Sequence, residues 1–252
     1  MKAIAFDLDS TLAESKQPLS PEMGALLARL LSLMPVAIMS GAAFAQYQTQ
    51  FFPAFLEHTH FENLFIFPDN AAQCFVFKDG AWQARYDESF SQDERDRILR
   101  VLNEAIAETK INDLVPQTWG PQIEDRGAQI SFSALGQQAP VEVKKMWDPM
   151  REKRQRLHAV LVKLLPEFSE AIGGLTTIDI TRKGINKAYG VRQFSELTNI
   201  PIADMLYVGD ALEPGGNDAV VIPTGIPTHQ VAGPEDTREV IEKILSTSEQ
   251  KI

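Results

Sequence analysis

Two carboxylates spaced i, i+2 close the first apolar run of the chain: Ile4-Ala5-Phe6 leads into Asp7-Leu8-Asp9, then Ser10-Thr11. A second acidic group follows Met205-Leu206-Tyr207-Val208, in Gly209-Asp210 and Glu213-Pro214-Gly215-Gly216-Asn217-Asp218. Carboxylates at the end of a buried strand are costly unless a metal, a proton or a reaction uses them. Two such strand ends point to one divalent-metal site at the carboxyl edge of a parallel sheet. Residues i and i+2 of an extended segment share a face, so Asp7 and Asp9 can serve one centre. Taken alone, the pair reads first as Asx caps that open a connection; Asp210 and Asp218 at a second strand end turn the reading to a shared site.

The elements that must hold these groups alternate. Residues 4–6, 36–39 and 64–67 read as short buried strands. Ser20-Pro21 opens a helix with an N-cap and a proline at its first position. A second helix is expected from 42 to about 56, broken at Pro53. Cys74–Phe77 and Trp82–Tyr86 flank Asp79-Gly80 as a hairpin. The middle changes character. Residues 92–109 form an amphipathic helix, 123–125 and 129–133 alternate as half-buried strands, 148–165 has a helical pattern and 176–180 reads as a strand. The first pattern then resumes with a helix at 187–197, a strand at 205–208, a switchback at 217–222 into a further strand, and a terminal helix at 234–245. The expected fold is α/β, a Rossmann-like core (1–83 and 185–252) with a parallel sheet, interrupted by an inserted α+β domain at 84–184.

The chain has 252 residues, 44% apolar and 23% charged, as an ordinary globular protein does. A net charge of −10 speaks against nucleic acid as the main partner, because phosphate backbones want a cationic surface. Cys74 is the only cysteine, so no intrachain disulfide is possible, which fits a reducing compartment. No secretory apolar region precedes Asp7 and no apolar run reaches membrane-spanning length, so the expected setting is cytoplasmic, with no membrane partner. His58, His60, His158 and His229 have no metal-ligand spacing, and the run Arg151–Arg156 reads as a solvated helix face. The tryptophans at 82, 119 and 147 read as packing residues or as surface of the inserted domain.

The acidic segments, Ser40 after the 36–39 strand and a lysine opening a late helix resemble the four motifs of the haloacid dehalogenase superfamily. The insert resembles the large α/β cap (C2 type, subfamily IIB) that some members carry between the second and third motifs. The likeness is closer still to eukaryotic-type phosphomannomutases, through residues 12–23, Phe67-Pro68-Asp69-Asn70, Phe77-Lys78-Asp79-Gly80, Ile172-Gly173-Gly174 with Ile178-Asp179-Ile180, and the segment 209–218. It covers most of the chain. The chain departs from that family at Ser10, where glycine is usual, and at cap arginines, where Gln137 stands and near Val141; Lys144 and Lys145 are candidate replacements.

The resemblance implies Asp7 as nucleophile and Asp9 as general acid and base, with Mg²⁺ held by Asp7, Asp9 through its carbonyl, Asp210 and Asp218. Ser40 is expected to donate to the phosphate, aided by a helix N-terminus; its plain alternative is an N-cap. Among Arg182, Lys183 and Lys187, the family pattern selects Lys187, with Asn186 as the N-cap, and leaves the other two as surface or hinge residues. Thr11 would buttress the loop. Lys16 and Arg126 would contact a distal phosphate, and Thr177 and Asp179 a sugar; an ordinary polar sheet face is the alternative for the last two. The implied substrate is a phosphorylated sugar or similar small metabolite, with a homodimer through the cap seen in some members. Three functions stay open: a phosphatase, a phosphomannomutase, and a metal-binding regulatory module without turnover.

Overall fold

The computed structural model describes residues 1–15, 17–56 and 59–249, so Lys16 and His58 lie outside the described residues. The chain divides into two compact units, Met1–Asp87 with Asn186–Ile252, and Glu88–Ile185.

The first unit is built on a seven-stranded sheet. Its strands are β1 (Ala3–Phe6), β2 (Val36–Met39), β3 (Leu64–Phe67), β4 (Gln73–Lys78), β5 (Ala81–Asp87), β10 (Met205–Gly209) and β11 (Thr228–Gln230). They are ordered β11-β10-β1-β2-β3-β4-β5. The first five of that order run parallel, and β4 and β5 turn antiparallel through the Asp79-Gly80 hairpin. The sheet is therefore mixed at one edge.

β1 lies in the middle, buried on both faces. Ile4 and Phe6 face one layer, with helices α1 (Pro21–Leu31) and α7 (Pro234–Glu249). Ala3 and Ala5, with Ala37 and Met39 of β2, face the other, where α6 (Lys187–Thr198) packs through Val191 and Phe194. Small side chains on that face let α6 come close. Gly190 completes the approach: a Cβ there would lie 2.7 Å from the Ala71 Cβ and 3.1 Å from the Met39 sulfur. Lys187 stands one helical turn before Gly190 and is carried in with it.

Ser20 caps α1 as expected, its hydroxyl accepting from the Met23 amide at 3.1 Å. The second helix is shorter than its pattern. α2 spans Phe44–Gln50, and a separate 3₁₀ turn at Phe52–Ala54 carries Pro53, which cannot donate to a continuing ladder. Residues 219–224 also differ from expectation: they form a 3₁₀ helix, and the strand starts only at Thr228.

The second unit is a four-stranded antiparallel sheet, β6 (Ile123–Asp125), β7 (Gln129–Ser133), β9 (Thr177–Arg182) and β8 (Phe168–Gly173) in that order. Ile130 and Phe132 of β7 and Ile178 and Ile180 of β9 join one core with α3 (Gln92–Thr109) and α5 (Glu152–Leu164). Period-two alternation puts Gln129, Ser131 and Ser133, with Thr177, Asp179 and Thr181, on the opposite face. The expected 148–165 helix is α5, starting at Glu152, and a further short helix that the sequence reading did not contain, α4 (Val141–Trp147), precedes it across Asp148-Pro149.

One basic residue departs from the sequence reading. Arg154 is buried, not solvated; its Nε meets Asp148 Oδ2 at 2.9 Å, and its other nitrogens donate to the carbonyls of Gly173, Gly174 and Asp148. Arg182 grips Glu94 through both terminal nitrogens at 2.6 and 2.7 Å and donates to the carbonyls of Glu88 and Ser89. It thereby ties the end of β9 to the residues at which this unit begins. Among the described residues, no helix is long and apolar enough to cross a membrane.

Candidate active site

The carboxyl ends of β1 and β10 are neighbours in the sheet, with Phe6 paired to Val208, so the residues that follow each strand must meet. The Asp7 amide continues the ladder to the Val208 carbonyl at 3.0 Å. Carboxylate oxygens of Asp7, Asp210 and Asp218 lie within 4.8 Å of one another. Lys187, entering from the start of α6, donates to Asp7 Oδ1 and, at 2.6 Å, to Asp218 Oδ1. Asn186 caps that helix, accepting from the Tyr189 amide at 3.1 Å. Thr11 spans the two strand ends, its hydroxyl 3.4 Å from Asp7 Oδ2 and 3.4 Å from Asp210 Oδ1.

Both oxygens of Asp218 accept hydrogen bonds. Tyr207 and Lys187 both donate to Oδ1 at 2.6 Å, and the Ala211 amide donates to Oδ2 at 3.2 Å. Gly209 makes room for it: a Cβ there would lie 2.4 Å from Asp218 Oδ2. Tyr207 was not singled out by sequence reasoning. A tyrosine in a buried strand looks like packing, and only the return of Asp218 gives its hydroxyl a partner.

The electrostatics follow from three carboxylates sharing one buried ammonium. Burial pushes the Asp7 carboxyl up to about 7, against the pull of Lys187 and with the push of Asp218 and Asp210. Asp210 is also raised, first by its burial and then by Asp218. Burial would lift Asp218 too, but Lys187 and the hydrogen bonds outweigh it and hold the group below its usual range. Burial works against the Lys187 charge, and Asp7 with Asp218 more than restores it. The cluster thus carries more negative charge than its own cation balances. Its donors are all hard oxygens in a tight group, which fits a hard divalent cation such as Mg²⁺.

The structure places Asp9 just beyond this group, in an isolated bridge with Ala13. Its side chain is not among the three clustered carboxylates. Ser10 adopts a left-handed φ of 61°, which is why glycine suits this position. Ser40 is buried at the end of β2. Its hydroxyl accepts from the Ala42 amide at 3.0 Å, and α2 starts only at Phe44, so the helix terminus expected beside it is displaced along the chain.

In the second unit, Arg126 follows β6 and pairs with Glu124 at 2.8 Å. Asp179 accepts from Ser131 at 2.5 Å, and Gln129 in turn donates to Ser131 at 2.9 Å. Thr177 sits at the start of β9, opposite Ser133. The Lys144 ammonium reaches the Gln137 carbonyl at 3.1 Å, whereas Lys145 is exposed and faces Glu142.

The family profile described as eukaryotic phosphomannomutase matches residues 23–247. The chain belongs to the eukaryotic phosphomannomutase family. Similar relatives include the phosphomannomutase of Spinacia oleracea, 24% identical over 254 residues, covering 97% of this chain and 96% of the relative. Phosphomannomutase 1 of Homo sapiens is 23% identical over 95% of this chain and 90% of its own length. Among solved structures, an IMP-bound Plasmodium falciparum IMP-nucleotidase superimposes with a TM-score of 0.70 at 18% identity, over 98% of this chain and 68% of that one. A trehalose-6-phosphate phosphatase related protein gives 0.59 at 16% identity, over the whole of both chains. These likenesses show the fold, a haloacid dehalogenase core with an inserted cap, whose aspartate cluster supports phosphoryl-transfer chemistry.

Proposed function

We propose that this protein is a Mg²⁺-dependent phosphatase of a sugar phosphate or similar small phosphomonoester, acting through a phosphorylated Asp7. The observation that carries the reading is the buried Asp7–Lys187–Asp218 arrangement with Asp210 alongside. Asp7 and Asp210, with the Asp9 carbonyl, would hold the metal, and Asp218, its oxygens already engaged, would anchor Lys187 and the water around the ion. Bound there, Mg²⁺ supplies charge neutralisation at the phosphoryl oxygens.

Asp7 attacks phosphorus, and the bond from phosphorus to the ester oxygen breaks. Asp9 gives its proton to the departing oxygen. Asp9 then takes a proton from water, which attacks the phosphorus on Asp7 and releases inorganic phosphate. Lys187 holds Asp7 in position and faces the charge that builds on the phosphoryl oxygens. Ser40 donates to one of those oxygens. In the inserted unit, Arg126 offers a planar fork for a distal phosphate, and Asp179 and Thr177 contact sugar hydroxyls. Lys16 would add a further contact.

The second reading is phosphomannomutase, favoured by the match to that family over nearly the whole chain. A mutase must grip either phosphate while the other reacts and must keep water from phosphorylated Asp7. Gln137 stands where the family has a cap arginine, which supports the phosphatase; Lys144, beside Gln137, is the residue that would restore the grip.

A steady-state assay with Mg²⁺ on mannose 1-phosphate, with and without catalytic hexose 1,6-bisphosphate, separates the readings. Stoichiometric free phosphate is the expected result. Bisphosphate-dependent hexose 6-phosphate with little free phosphate establishes the mutase. Loss of all turnover in a folded Asp7→Asn protein excludes a regulatory module without catalysis. A cytoplasmic setting and a homodimer through the inserted unit complete the proposal.

A further inference from the structure

Tyr47 is a fully buried residue of α2, packed edge-on against Phe51 with ring centroids 5.8 Å apart. Its hydroxyl has no hydrogen-bond partner. A buried hydroxyl without a partner is a substantial cost, and a phenylalanine would make the same packing without it. The position of the hydroxyl is informative. The Ser40 hydroxyl lies beside it and accepts from the Ala42 amide. Burial, and then the nearby carboxylates of Asp7 and Asp9, hold the phenol well above its usual range, so it keeps its proton and remains a donor.

The backbone facing Ser40 is strained as well. The Asn70 amide donates to the Ser40 carbonyl at 2.9 Å and the Asp69 amide to that of Ala42 at 3.1 Å. Asp69, Asn70 and Ala71 hold this position with φ of 49°, 55° and 68°, three successive non-glycine residues in the left-handed region. Two separate penalties, an orphaned donor and a strained turn, therefore converge on the same wall of the site. Such penalties persist where a ligand repays them.

We propose that the Tyr47 hydroxyl is a further phosphoryl ligand, donating to a phosphoryl oxygen beside the one taken by Ser40. This rests on the phosphoryl-transfer reading above. A neutral donor suits this place, because it adds no charge to an acidic cluster.

The test compares Tyr47→Phe with the intact protein by calorimetric titration of orthovanadate in excess Mg²⁺, and by melting without ligand. The expected result is orthovanadate binding weakened by roughly 10-fold or more, with an equal fall in kcat/KM for an aryl phosphate. Mg²⁺ affinity should be unchanged and the ligand-free melting temperature unchanged or raised. Orthovanadate affinity within twofold of the intact protein overturns the proposal, and a lowered melting temperature beside it assigns Tyr47 to structure instead. If the intact protein binds no orthovanadate with Mg²⁺, the phosphoryl-transfer reading fails first and the proposal fails with it.

Discussion

Asp7 and Asp9 are two residues apart in sequence but in different surroundings. Asp7 is enclosed and shares Lys187 with Asp218; Asp9 sits past the strand end and is not one of the three clustered carboxylates. That separation suits a nucleophile and a proton carrier with different duties. Asp9→Asn should therefore keep Mg²⁺ binding yet lower turnover by roughly 10²–10⁴-fold; turnover near that of the intact protein would move the acid and base elsewhere. Ser10 gives a stability test of the same loop. Its φ of 61° costs a residue with a Cβ more than glycine, so Ser10→Gly should raise unfolding stability by about 1 kcal/mol in urea melts. At this scale much of the site was legible. Carboxylates after apolar strands announce themselves, because burial leaves few uses for them. Tyr47 and Tyr207 did not, since an aromatic residue amid apolar neighbours signals packing and its hydroxyl partner is known only in three dimensions.

Helices and strands place these groups through a few close approaches. α6 can deliver Lys187 only because Gly190 lies against Ala71 and Met39. In the second unit, Arg154 binds α5 to the turn between β8 and β9 through the carbonyls of Gly173 and Gly174. Arg154→Met leaves Asp148 buried without its cation and should cost about 3–5 kcal/mol. Adding Asp148→Leu should return a good part of that loss in the same unfolding measurement; no recovery would mean that the carbonyl contacts dominate. Arg126→Ala should raise KM for sugar phosphates several-fold while sparing an aryl phosphate, and equal losses on both would remove Arg126 from the distal phosphate. The long periodic elements were readable, α3 above all, with its Ser91–Glu94 capping box. β8 was not: Ser169-Glu170-Ala171 carries no apolar alternation, and it becomes a strand by pairing with β9. Nor was α4 readable, a helix of seven residues ending just before Asp148, whose carboxylate serves Arg154, a partner that periodicity does not show.

For the molecule as a whole, the excess of negative charge at one sheet edge links stability to pH and to metal. A folded-state carboxyl at about 7 binds a proton that the unfolded chain has already released. Its favourable contribution is therefore complete below the ordinary carboxylate value and is lost as pH rises through about 7. A Mg²⁺ ion held by Asp7 would have to displace that proton, so its binding would strengthen as pH rises. The melting-temperature gain from Mg²⁺ should be small at about pH 5.5 and large at about pH 8; an equal gain at both would show that Asp7 is not the residue the metal meets. The sheet order has a consequence of another kind. β1 pairs on one side with β2, close in sequence, and on the other with β10, about 200 residues later. A ribosome adds roughly 5–20 residues per second, so one edge of β1 waits about 10–40 s for its neighbour while the inserted unit is made. The strand that leads into Asp7 is then an open β edge in the nascent chain. Asp7 and Asp9 at its tip disfavour pairing with a stranger during that interval, so the residues that would carry turnover also guard the chain during its synthesis.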